Sequence, residues 1–170
     1  MNQTLTNWNT ASEQTALAAM LACCGATRWA AAIVGARPIH TSESLHTTAD
    51  TIWSAMQESD WLEAFAAHPR IGSRKPATHA SSQSATWSNQ EQSSTQTATE
   101  QTLSHLAALN AQYETRFGFT CIICATGKSA DKMLAILERR LSSDRASELN
   151  EAAEQQRQIT HIRLKKWLAE

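Results

Sequence analysis

Glycine (5), proline (3), phenylalanine (3) and tyrosine (1) are scarce in this chain of 170 residues. A β-sandwich draws on turn residues, β-branched residues and aromatics, so the shortage argues against one. Neither sign of charge is in excess. Fifteen basic and 16 acidic side chains leave a formal net charge of −1. The basic footprint that marks proteins of nucleic acid or anionic membranes is therefore missing. The longest apolar run, Ala16 to Cys24, has nine residues, whereas a bilayer span needs about 20. Met1-Asn2-Gln3-Thr4 carries no basic patch leading into an apolar stretch, so no secretory signal is expected. Leu168-Ala169-Glu170 is not a peroxisomal address of the Ser-Lys-Leu kind.

Cysteines number four, as Cys23-Cys24 and Cys121-Ile122-Ile123-Cys124. Adjacent cysteines rarely bridge each other, and a chain of this size does not need staples. The C-x-x-C lies inside the apolar run Phe117 to Ala125 and not at the mouth of a helix, and no second such pair or spaced histidine pair accompanies it. Buried, reduced thiols in a cytoplasmic protein are expected.

What the chain does have is alanine, at 29 positions, within a composition that is 42% hydrophobic and 18% charged. Such a composition favours helices and supplies a core for one domain, 1–170. Apolar periodicity predicts helices over Ser12 to Cys24, Thr27 to Gly35, Ser42 to Glu58, Asp60 to Ala67, Ser129 to Leu141 and Asp144 to Leu168. The dipeptide His68-Pro69 closes the fourth, because a residue before proline is pushed out of the α region. Pro69 to Trp87 reads as a long polar loop. From Ala77 to Ser104, 18 of 28 residues are Ser, Thr or Gln, a linker-like composition. Ser88-Asn89-Gln90-Glu91 fits a capping box, and Leu103, Leu106, Leu109 and Tyr113 continue an apolar face to Gly118. The expectation is an all-α, single-domain bundle of about eight helices, with Phe119 to Ala125 extended.

Three ionisable residues stand out. On a wheel of about 100° per residue, Arg163 shares an arc with Leu149, Ala152, Ala153, Gln156, Ile159, Thr160 and Trp167. A guanidinium there is either paired inside the protein or a planar fork for an anionic ligand. His68 follows a helix carboxyl end, whose carbonyls favour an imidazolium and thus a general acid near neutral pH; a purely structural histidine is the other reading. Glu91 either satisfies the Ser88 backbone donor or, ionised at a helix amino end, partners His68 as a base. Thr126-Gly127-Lys128-Ser129 imitates a phosphate-binding loop, but Ile122 stands where its first glycine belongs. His40, His46, His79, His105 and His161 show no i, i+4 pairing for a metal site, and none is expected.

Ala67-His68-Pro69-Arg70-Ile71-Gly72, Ser88-x-x-Glu91-Gln92, Arg116-Phe117-Gly118-Phe119, Ile122-Ile123-Cys124-Ala125 and Gly127-Lys128-Ser129 occur in an order that resembles the OHCU decarboxylases. Leu137 to Arg140, Asn150 and Ile159 to Leu164 also fit that pattern. Those enzymes convert 2-oxo-4-hydroxy-4-carboxy-5-ureidoimidazoline to (S)-allantoin in urate breakdown. The resemblance implies an all-helical, cofactor-free homodimer acting on that small molecule. It makes His68 the proton donor, Glu91 its partner and Pro69 a wall for the substrate ring. Ser88 and Gln92 would bind substrate, backbone groups of Ile122, Ile123, Cys124, Ala125 and Thr126 would hold the ring edge, and Arg163 would clamp an anionic or carbonyl group. The chain departs from the pattern at Trp87, and at Thr120 and Cys121 where Pro and Phe are common. A non-catalytic interaction module of the same fold, and a decarboxylase of a related small acid, are the alternatives.

Overall fold

Polar caps decide where most elements of this chain begin. The computed structural model describes residues 2–73, 75, 77 and 80–170; His79, and Arg74, Pro76 and Thr78 of the expected loop, lie outside the described residues. Among the described residues there are nine α-helices, one 3₁₀ helix and no strand. In order they are α1 (Gln3–Thr10), α2 (Glu13–Cys23), α3 (Thr27–Gly35), α4 (Ser42–Ser54), α5 (Glu58–Ala66), α6 (Ser82–Glu91), the 3₁₀ helix η1 (Ser93–Thr97), α7 (Glu100–Phe117), α8 (Ala130–Arg140) and α9 (Arg145–Trp167). The all-α expectation holds. Side chains of Asn2, Ser12, Thr41, Ser81, Thr99 and Ser129 each accept a backbone N–H from the first turn that follows. A cap of this kind is typically worth about 1 kcal/mol.

Three expectations need correction. The loop expected over 69–87 ends earlier, since α6 opens at Ser82 under a cap from Ser81. Its buried face is Ser84, Trp87 and Ser88, so two of the three packing positions are polar and the apolar period is hidden. The capping box at Ser88 is therefore absent: Ser88 sits inside α6, and Glu91 is its last residue. Glu91 thus occupies a carboxyl end, where the helix dipole has the opposite sign to the one assumed. The helix expected from Ser88 to Gly118 is split, because Thr99 caps a new helix, α7. Helix α1 was not expected from the sequence; it buries only Leu5 and Trp8.

The chain packs as two compact units, 1–64 with 157–170, and 65–156. In the first, Trp29 on α3 is fully buried and donates its indole N–H to the Ala49 carbonyl of α4 at 3.2 Å. The Trp8 indole donates to Ala16 at 3.1 Å and meets Trp167 edge-on. Glu63 caps α3 by accepting from the Thr27 N–H and hydroxyl at 3.1 and 2.5 Å. Asp50 accepts from both Arg157 and His161.

In the second unit Phe65, Tyr113, Phe117 and Phe119 form an aromatic cluster with ring centroids 4.7 to 6.2 Å apart. Burying each large side chain of this kind contributes about 1.5–3 kcal/mol. Beside them lies an ionic core: Arg140 and Glu148, 3% and 1% exposed, pair with each other, and the Tyr113 hydroxyl donates to Glu148. Helix α7 ends at Gly118, whose φ of +82° is the left-handed cap that glycine adopts without steric cost.

Candidate active site

His68 lies just past α5, held by its backbone N–H, which donates to the Phe65 carbonyl at 3.0 Å. The imidazole is half-buried and Pro69 is buried. The imidazole Nε2 stands 2.8 Å from Oε1 of Gln156, a residue with no exposed surface. After Pro69 the chain reverses through Gly72 at φ +78°. The positive φ calls for glycine, and a Cβ there would crowd Leu106 Cδ1 at 3.1 Å. Asn110 on α7 supports this turn by donating to the Ile71 carbonyl at 2.9 Å.

The turn is tied to the end of α6. Gly72 N–H donates to Oε1 of Gln92 at 3.0 Å. Pro69 and Gln92, the chain neighbours of His68 and Glu91, line one pocket of about 360 Å³ with Ser73, Asn89, Thr95 and Gln96. Its polar lining of amides and hydroxyls suits a small hydrogen-bonding ligand. Ser88, 2% exposed, accepts the Gln92 backbone N–H through its carbonyl at 3.0 Å. Glu91 is half-buried.

The extended segment 121–125 is anchored from several sides. Arg140 donates to the Ile122 carbonyl, and Gln155 Oε1 accepts the Cys124 N–H at 2.8 Å. Lys128 Nζ donates to the Cys124 carbonyl at 2.5 Å. The backbone groups of Ile122 and Cys124 that were expected to meet substrate are thus partly committed within the protein. The phosphate-loop imitation resolves as a turn, with Ser129 capping α8 and Lys128 on Cys124.

Every residue of the apolar arc expected for α9 is buried, Arg163 among them at 2% exposed. Arg163 belongs to the first unit, where its Nη1 reaches the Ala22 carbonyl at 3.5 Å. Burial pushes the neighbouring Cys24 thiol up to about 11 and the Cys121 thiol of the other unit up to about 12. All four cysteines are buried and free.

Sequence reasoning did not anticipate the parts played by Gln155, Gln156, Arg140 and Glu148. A signal existed for two of them: Gln156 falls on the apolar arc of α9, and Arg140 shares a face with Met133 and Leu137. The pocket residues Ser73, Asn89, Thr95 and Gln96 carried no periodic signal.

The chain matches the OHCU decarboxylase family over residues 9–165. It is 37% identical over 145 residues to the "Uric acid degradation bifunctional protein TTL" of Arabidopsis thaliana, covering 85% of this chain and 44% of that one. A 59-residue stretch, 35% of this chain and 34% of the other, is 34% identical to the 2-oxo-4-hydroxy-4-carboxy-5-ureidoimidazoline decarboxylase of Xenopus laevis. The chain spans less than half the length of the bifunctional relatives it matches. Among solved structures, an OHCU decarboxylase crystallised in the presence of (S)-allantoin superposes with a TM-score of 0.76 at 34% identity, covering 88% of this chain and 96% of that one. The chain belongs to the OHCU decarboxylase family.

Proposed function

We propose that this protein decarboxylates 2-oxo-4-hydroxy-4-carboxy-5-ureidoimidazoline to (S)-allantoin in urate breakdown, without a cofactor, with the whole chain as one catalytic domain. The observation that supports the reading is the small polar pocket lined by Pro69 and Gln92, the chain neighbours of His68 and Glu91, with Gly72 N–H bonded to Gln92 Oε1. The similarity to a structure obtained with (S)-allantoin supports the choice of substrate.

The chemistry suits such a site. When carbon dioxide leaves, the electron pair of the broken C–C bond flows into the adjacent C=N bond of the ring, so the substrate carries its own electron sink. The ring nitrogen that received the pair and the ureido-bearing carbon each take a proton, and the hydroxyl gives up its own to become the carbonyl of the product. The protein must orient the ring, desolvate the carboxylate and deliver the proton to one face. His68 is the proton donor and Glu91 its partner. Pro69, Ser88 and Gln92 contact the ring, and backbone groups of Ile122, Ile123, Cys124, Ala125 and Thr126 hold its edge. Arg163 clamps an anionic or carbonyl group, a role supported by the family resemblance and by its burial. The same reading makes the protein a cytoplasmic homodimer, with a solution mass twice the 18.7 kDa of one chain. Among the described residues no helix is long and apolar enough to cross a membrane.

Replacing His68 with Asn tests the assignment against that of an inert helical module. Turnover is expected to fall by about 10²–10⁴ while the helical circular dichroism is retained. Undiminished turnover in a folded His68→Asn protein would remove His68 from the chemistry.

A further inference from the structure

The contact between His68 and Gln156 is more specific than its length alone conveys. An amide oxygen only accepts hydrogen bonds, so Gln156 Oε1 at 2.8 Å requires a hydrogen on His68 Nε2. In the neutral imidazole that hydrogen occupies Nε2 and the lone pair lies on Nδ1; in the imidazolium both nitrogens carry one. Gln156 is itself fully buried on α9, so its amide is not exchanged for water. Its chain neighbour Gln155 is fixed as well, through the Cys124 N–H on one side and Glu151 on the other. A buried neutral amide also differs from a carboxylate in that place: it selects a tautomer without adding charge.

We propose that Gln156 is a positioning residue for His68, holding the hydrogen on Nε2 so that Nδ1 is the atom that gives up and regains the proton in turnover. This rests on the reading of His68 as proton donor. It adds which ring nitrogen works and what dictates it.

The test has two independent arms on the full-length protein. Nitrogen-15 NMR of histidine-labelled protein, at a pH where His68 is neutral, is expected to give a pyrrole-type Nε2 and a pyridine-type Nδ1. This readout requires no activity. Finding the hydrogen on Nδ1 instead would overturn the inference, for the amide would then be donating through its nitrogen. In the kinetic arm, Gln156→Met removes the acceptor at similar volume. The expectation is a mixed tautomer, with kcat lowered on the order of ten- to a hundredfold and KM nearly unchanged. An unchanged kcat in the Met variant would likewise overturn the inference. Should the Met variant not fold, Gln156→Glu keeps both size and acceptor; it should retain the Nε2–H tautomer and move the His68 limb of the kcat–pH profile to higher pH. An unmoved limb counts against direct contact in solution. Wild-type protein that fails to process the substrate would sink the proposed function, while the NMR arm still decides the tautomer. An active wild type with the opposite tautomer sinks only the role of Gln156.

Discussion

At the scale of single residues, burial acts differently on a permanent cation and on a thiol. Arg163 is a planar cation held almost wholly out of water. Such a group is tolerated only with partners on its donors, and its fork geometry is what a lysine cannot reproduce. Arg163→Lys is expected to raise KM at least tenfold with a smaller change in kcat, read from initial rates against substrate concentration; an unchanged KM would contradict a clamping role. The thiols behave in the opposite way. Cys24 and Cys121 ionise at about 11 and about 12, against an ordinary value of 9.0, because burial disfavours the thiolate. Their folded values are raised, so their contribution to stability is complete below pH 9 and is lost as the pH climbs towards 11 and 12. Denaturant midpoints should therefore fall across that window, and native protein at neutral pH should resist a thiol reagent that labels all four cysteines once unfolded. Rapid labelling of the native state would contradict the burial.

At the scale of elements, legibility followed the kind of signal each one carries. Helix α9 could be drawn on a wheel because Leu149, Ala152, Ile159 and Trp167 mark its buried side, and the polar members Gln156, Thr160 and Arg163 are buried with them. Helix α6 could not, since Ser84 and Ser88 pack where apolar residues normally would. Three serines stand near its start, and choosing Ser88 over Ser81 as the cap moved Glu91 from the end of a helix to its beginning. His68, Pro69, Gln92 and Arg163 could be put forward as candidates from the sequence because their motif order is a family signature. Gln156 as the partner of His68 was not, for a contact across 88 positions leaves no local trace.

The segment 121–125 was read as extended, but its anchor was missed: a charge pair from α8 and α9 lies under it and holds the Ile122 carbonyl. Removing one member of such a pair strands the other in the core, at a cost of about 3–5 kcal/mol. Arg140→Met should thus lower Tm on the order of 10 °C, at roughly 2–4 °C per kcal/mol for a chain of this length. The double variant Arg140→Met, Glu148→Leu should recover only part of that loss: no charge is left unpaired, but the Tyr113 hydroxyl and the Ile122 carbonyl lose their partners. Equal Tm values for wild type and Arg140→Met, by calorimetry, would show that the pair does not hold the segment.

At the scale of the whole molecule, a family match running from residue 9 to residue 165 takes in both compact units. Helices of modest individual stability are made definite by caps and by packing within each unit, as is usual for helices of 8 to 23 residues. The reaction proposed for this assembly is one that water performs without stereochemical preference, because a solvent proton can arrive at either face of the planar intermediate. What a folded protein adds is a single direction of approach. The most direct measurement generates the short-lived substrate from urate, adds the protein, and follows both the loss of substrate absorbance and the circular dichroism of the product. The account predicts accelerated loss and an excess of (S)-allantoin that disappears with His68→Asn; racemic allantoin formed at the uncatalysed rate would contradict it.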